Sequence, residues 1–226
     1  MAANSLSSRP ASTTVASTSS DEYYKPRILC LHGKFQSAAV FSNKIAGARR
    51  KIAREYELHF LDGPIILEPD NEDARAWWLR IEDGSHTMVQ EAFDYVAEKT
   101  QNENFDAIIG FSQGGTLATA LALSGILPNV KAVVTAGAPN IPEAFEVANK
   151  LAESQPDWSV GAGRDIPKFH LAGETDAMVS LDWTRELVES GGNGKFIVHE
   201  QGHLFPTRAA RVKEILDFLG GVLLDK

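Results

Sequence analysis

The stretch that decides the fold runs over residues 105–123, FDAIIGFSQGGTLATALAL. Its first five residues, 105–109, form an apolar β-type run, and residues 115–123 form a small-residue helical pattern. The five residues Gly110-Phe111-Ser112-Gln113-Gly114 stand between the two. Ser112 therefore falls on a sharp strand-to-helix turn, the arrangement of a nucleophile elbow. A serine held in a strained backbone conformation at the end of a strand needs neighbours without Cβ atoms, because strand and helix otherwise collide. By composition alone a G-x-S-x-G arises in roughly one chain in a dozen of this length. The flanking strand and helix carry the weight.

Working outward from the elbow, short apolar runs at 27–31, 58–61, 107–111, 132–136, 168–171 and 196–199 read as strands. They are mostly continuous rather than alternating, as in strands covered on both faces. Helical spacing is found at 39–56, 87–99, 115–124, 143–153, 183–190 and 207–219. This alternation predicts right-handed crossovers and a doubly wound, mostly parallel sheet with helices on both faces. In such sheets the ligand crevice opens beyond the carboxyl ends of the strands, where Ser112 stands. Two stretches break the rhythm. Residues 62–84, with Trp77-Trp78, are long for a connection but aromatic enough to be ordered. Residues 138–163, holding Pro139, Pro142, Pro156 and Trp158 around one short helix, suit a small lid-like insertion.

The 226 residues fit one domain, expected over 25–226, after a Ser-, Thr- and Ala-rich segment at 1–24 expected to be disordered. Short organelle-targeting peptides share the composition of the first twenty residues. With no apolar run near the about 20 residues of a membrane span and no basic-then-apolar leader, a cytoplasmic protein is expected. The net charge of −8, without a basic stripe, argues against nucleic acid as a partner. Cys30 is the sole cysteine, so no internal disulfide can form, and it reads as core.

A serine hydroxyl is a weak nucleophile at neutral pH and needs a base within hydrogen-bond reach, itself oriented by a carboxylate. In this architecture the partners follow in the order Ser, acid, His, each on a loop after a later strand. The run ending at Leu171 leads into Ala172-Gly173-Glu174-Thr175-Asp176, and the run ending at His199 into Glu200-Gln201-Gly202-His203. Asp176 is favoured over Glu174 because an apolar turn, 177–179, follows it. His203 is favoured over His199, which belongs to the strand. Asp182 reads as a helix N-cap. His59, His86 and His170 read as surface or packing residues, and His32 as a brace for its own loop. No pair has metal-ligand spacing, and no cofactor is expected. Two backbone N–H groups should meet the oxyanion, from Gln113 after the nucleophile and from Lys34 in the turn after the first strand. The aromatics Phe35, Phe41, Trp77, Trp78 and Phe205 are candidate pocket walls, with one of the two tryptophans facing substrate.

With LHGKFQSAAVFS at 31–42, the Asp62-Gly63-Pro64 turn, Trp77-Trp78, GFSQGG at 110–115, AGETDAMVS at 172–180 and HEQGHLFP at 199–206, the chain resembles the FSH family of serine hydrolases. The resemblance covers about 27–219. It implies an α/β-hydrolase fold, Ser112, Asp176 and His203 as a triad, and hydrolysis of carboxyl esters or, in some relatives, thioesters that release polyketides. Lys34 stands where family members often carry Phe, which implies a more polar entrance. Ser180 stands where the family often has Pro, and reads as an N-cap. A carboxylesterase for short-to-medium acyl groups comes first and a thioesterase second, with a small-molecule ester or thioester as partner. The rival classes are a ligand receptor and a contact scaffold built on a hydrolase fold. A dehydrogenase is excluded because no G-x-G-x-x-G follows the first strand.

Overall fold

The computed structural model describes residues 24–192 and 194–224. The segment expected to be disordered lies outside them except for Tyr24, whose hydroxyl donates to Asp106 Oδ2 at 2.5 Å. In chain order the elements are β1 (Arg27–Leu31), α1 (Ala38–Lys44), α2 (Ala46–Ile52), β2 (Glu57–Leu61), β3 (Ile65–Glu68), β4 (Asn71–Ala76), β5 (Leu79–Arg80), β6 (His86–Thr87) and α3 (Val89–Thr100). They continue with β7 (Ala107–Phe111), α4 (Gln113–Ser124), β8 (Ala132–Ala136), α5 (Pro142–Ser154), α6 (Val160–Asp165), β9 (Lys168–Gly173), α7 (Leu181–Gly191), β10 (Gly194–His199) and α8 (Ala209–Leu223).

Six strands form one fully parallel sheet in the order β10-β9-β8-β7-β1-β2. The chain places β2 on one side of β1 and β7 on the other, so the order reverses beside β1. The turns after β1 and β7 flank the crevice that such a reversal opens. Alternate side chains divide the core in two, as the pleat requires. Ile28 and Cys30 of β1 pack with Phe41, Ile52, Val212 and Ile215 under α1, α2 and α8. Leu29 and Leu31 pack with Phe93, Leu117, Leu121 and Leu187 under α3, α4 and α7. Both faces are therefore covered, and the strands read as unbroken apolar runs for that reason. Among the described residues no helix is long and apolar enough to cross a membrane.

Several expected boundaries shift. The helix expected over 39–56 is two, broken at Ile45, which closes α1 and opens α2. Residues 62–84 hold two small antiparallel pairs, β3 with β4 and β5 with β6. Thr87 belongs to β6, and α3 starts after Met88, which has φ +64°. The expected lid over 138–163 is instead α5 and α6. Ala144, Phe145, Ala148 and Ala152 of α5 are buried, and the helix forms an ordinary covering layer over α4. All twelve residues of α4 are buried as a consequence. Ser180 caps α7, its Oγ accepting the Trp183 N–H at 3.1 Å. Asp182, expected as that cap, lies in the first turn, where its charge favours the helix N-terminus and pairs with Arg185.

Candidate active site

Ser112 sits between the end of β7 and the start of α4 with φ +52° and ψ −121°, a backbone conformation that L-residues rarely adopt. Its amide donates to Ala136 O (2.9 Å) and its carbonyl accepts from Gly115 and Thr116, so strand pairing and the first helical turn hold the strained residue from both sides. The glycines are sterically required. A Cβ on Gly110 would lie 2.2 Å from Gly114 O, and one on Gly114 would lie 2.4 Å from Leu31 O.

The structure brings the three residues chosen by chain order into one chain of contacts. His203 Nε2 lies 3.0 Å from Ser112 Oγ, and His203 Nδ1 lies 2.7 Å from Asp176 Oδ2. The other carboxylate oxygen of Asp176 accepts the amides of Met178 (2.8 Å) and Val179 (2.9 Å), which fixes the carboxylate plane, and the side chain is 1 % exposed. The Phe111 ring stands 4.9 Å from the imidazole. Two more glycines allow the approach. A Cβ on Gly137, at φ +56°, would lie 3.1 Å from His203 Nδ1, and one on Gly173 would lie 2.3 Å from Gln201 O, where the histidine loop crosses the end of β9. Glu174, the rival carboxylate, is exposed. His199, the rival base, ends β10 with its Nδ1 accepting from Gln201.

Opposite the imidazole, the turn after β1 is braced by His32. Its Nε2 accepts the Gly63 N–H (2.7 Å), so Nδ1 carries the proton and donates to Gly33 O (2.8 Å). Burial holds its pKa below the usual histidine value and the ring neutral. A Cβ on Gly33 would come within 3.1 Å of Ser112 Cβ, so this turn lies directly against the elbow. Lys34 and Gln113 both line the cleft beside Ser112. The Gln113 N–H is among the first-turn amides that an α-helix leaves without an intrahelical partner.

The side chain of Gln113 does something the sequence did not reveal. Its Oε1 accepts the Trp77 amide (2.8 Å) and its Nε2 donates to Trp78 O (2.9 Å), pinning the Trp77-Trp78 dipeptide to the elbow. Phe35 N donates to Arg75 O and Trp77 Nε1 to His32 O, so the β3–β4 hairpin is stapled to the turn after β1.

The cleft beside Ser112 measures about 230 Å³, with walls of Trp78, Pro139, Ile141, Met178, Val179 and Trp183. A smaller one, about 120 Å³, lies across His203, between Phe41, Phe111, Leu204 and Phe205. The expected aromatic walls therefore divide. Trp78 lines the first cleft, and Phe41 and Phe205 the second. Trp77 is enclosed in the core and lines neither. Phe35 is 57 % exposed because its backbone, at φ +61°, turns the side chain to solvent. Arg80 and His86, from the β5–β6 pair, also line the first cleft. Neither was singled out for it in the sequence, since only the docking of a short hairpin brings them there. Among the described residues no three His, Cys, Asp or Glu side chains gather as metal ligands.

His170 is wholly buried in β9, with Nδ1 2.8 Å from Thr135 Oγ1, and burial pushes its pKa down from 6.5 to about 3. The unfolded chain thus binds the proton first on acidification, and the folded state loses stability as pH falls below 6.5 toward 3. Between pH 7.5 and 5 this one residue should cost about 2 kcal/mol. Urea unfolding at the two pH values checks this. His170→Gln should flatten the dependence by that amount, and an unchanged slope would contradict it.

The parallel sheet with its order reversal and the elbow serine define an α/β-hydrolase. The description of the serine hydrolase family FSH1 matches residues 20–215, and the chain belongs to that family. It is 28 % identical to an uncharacterised hydrolase of Schizosaccharomyces pombe over 86 % of this chain and 51 % of that one. It is 30 % identical to the esterase CG5412 of Drosophila melanogaster, covering 86 % of this chain and 73 % of the relative. The chain thus spans about half the length of the first of these relatives. Among solved structures, SOBER1 of Arabidopsis thaliana shares the fold, with TM-score 0.64 and 19 % identity over 88 % of this chain and 99 % of that one.

Proposed function

We propose that the protein is a serine esterase that cleaves carboxylic esters of short-to-medium acyl groups through an acyl-enzyme on Ser112. The observation that carries this reading is the unbroken contact from Ser112 Oγ through His203 to a buried, fully hydrogen-bonded Asp176. His203 Nε2 takes the Ser112 proton as Oγ attacks the ester carbonyl carbon. The carbonyl oxygen becomes an oxyanion held by the Lys34 and Gln113 amides, at the positive end of α4. Collapse expels the alcohol, which leaves with the proton from His203. Water then attacks the acyl-enzyme by the same route, releasing the acid and restoring Ser112. Asp176 keeps the imidazole in the tautomer that can accept at Nε2 and stabilises the imidazolium.

Thioester hydrolysis is the second reading, since both substrates pass through the same oxyanion. The basic cluster Arg49-Arg50-Lys51 lies on α2, on the sheet face opposite α4, and lines neither cleft, so that cluster is no landing for the phosphates of a coenzyme A thioester. The first cleft is small beside the roughly 300–1,000 Å³ of drug-sized sites, which favours short acyl chains. The test is kcat/KM on oxygen and sulfur esters matched in acyl length from two to twelve carbons, wild type beside Ser112→Ala. Oxygen esters of short-to-medium chains should lead, and activity should vanish in the variant. A clear preference for thioesters would replace the first reading with the second.

A further inference from the structure

The chain carries a net charge of −8, yet none of the residues lining the cleft beside Ser112 is Asp or Glu, while Lys34 and Arg80 both line it. Among the described residues neither cation has a carboxylate partner. Lys34 Nζ stands 5.1 Å from the Phe35 ring centroid, and Arg80 Nε donates only to the nearby Gly84 carbonyl at 3.4 Å. Of the two histidines in the wall, His203 belongs to the triad and His86 is already engaged by Glu143, which accepts its amide and lies 3.4 Å from its Nδ1. The remaining carboxylate of the site, Asp176, is covered by His203 and nearly unexposed. An acidic protein that leaves two uncompensated cations in the wall of an otherwise largely apolar cleft offers a landing for negative charge there. The apolar walls raise the value of that landing relative to bulk water.

We propose that the cleft selects esters bearing a second, ionised carboxylate, with Arg80 and Lys34 as the groups that recognise it. This rests on the esterase reading and names its substrate class. Arg80 supplies a planar donor fork suited to a carboxylate, and Lys34 supplies a point charge beside the oxyanion turn. The carboxylate lies either on the acyl chain, as in a dicarboxylic half-ester, or on the leaving group.

Two substrate pairs separate these positions. Monoethyl glutarate against ethyl valerate tests the acyl side. The butyryl ester of 4-hydroxybenzoate against that of methyl 4-hydroxybenzoate tests the leaving group. The readout is the ratio of kcat/KM, anionic over neutral, within each pair. Wild type should show a ratio of about ten or more in one pair, falling as NaCl rises from 0.02 to 0.5 M. Arg80→Met should lower that ratio about fivefold, the upper end for a solvent-exposed ion pair. Lys34→Met with Arg80→Met should bring it to one or below. Both side chains are exposed, and unchanged circular dichroism and Tm verify folding. A wild-type ratio at or below one in both pairs, or a ratio that neither variant moves, overturns the proposal. Hydrolysis of the neutral esters alone leaves the esterase reading standing, whereas hydrolysis of none of the four contradicts both.

Discussion

Asp176→Asn should lower kcat by about 10⁴-fold with little change in KM and no loss of fold. Two main-chain amides, Met178 and Val179, point at Asp176 Oδ1, so an asparagine will keep its carbonyl oxygen on them. Its NH₂ then faces His203 Nδ1, where the carboxylate now accepts. A donor at that place forces Nδ1 to accept and puts the ring proton on Nε2, toward Ser112 Oγ. The imidazole can then no longer take the serine proton. His203→Ala should cost still more, about 10⁵- to 10⁶-fold, because no group replaces the base. Steady-state kinetics on a hydrolysed ester, with folding checked by circular dichroism, measures both. A loss below tenfold in Asp176→Asn would mean that the buried carboxylate does not set the tautomer.

The second large effect is on stability. Gly114→Ala would place a Cβ 2.4 Å from Leu31 O and 2.5 Å from His32 O, main-chain atoms of β1 and of the turn after it that carries Lys34. Neither can yield as the tip of a flexible side chain would. The helix must lift off the sheet, at a cost of about 4 kcal/mol, a large share of the 5–15 kcal/mol of a typical domain. Gly221 in α8 is the internal control, since nothing lies within 4 Å of its added Cβ. Gly221→Ala should stabilise by about 0.5–1 kcal/mol through helix propensity. Urea midpoints of the two variants should move in opposite directions. A Gly114→Ala midpoint equal to that of wild type would contradict the close approach of α4 to β1.

How much of this was legible in the sequence follows from where each residue gets its constraint. The sheet was legible because its strands are buried on both faces, so Ile28 to Leu31 and Ala132 to Val134 are apolar without alternation. The elbow was legible because glycine is demanded by backbone contact, and the acid and base because each lies on the loop after a strand, in a fixed order. The β3–β4 hairpin was not. Its β4 opens on exposed Asn71, Glu72 and Asp73, and its β3 offers only the three apolar residues Ile65, Ile66 and Leu67 before Glu68, so neither reads as a core strand, and what orders them is docking on the turn after β1. The break at Ile45 likewise lacks a sequence signal, because Ile45 is a buried apolar residue that also suits a continuous helix. Residues 138–163 looked like an insertion because prolines punctuate them. Pro142 stands at the start of α5, where its missing N–H costs nothing, so it begins a helix that packs on the core. Arg80 and His86 had no signal of their own, since a two-residue strand leaves none in the sequence.

The esterase account stands on Ser112 being an activated nucleophile, and one measurement addresses that directly. Intact-mass analysis of the protein after exposure to a fluorophosphonate, wild type beside Ser112→Ala, reads the serine without assuming a substrate. One adduct on wild type, none on the variant, and strong slowing in His203→Ala are the results expected. A folded wild type that takes up no adduct, or a Ser112→Ala variant labelled as fast as wild type, would contradict the account and put the receptor and scaffold readings ahead of it.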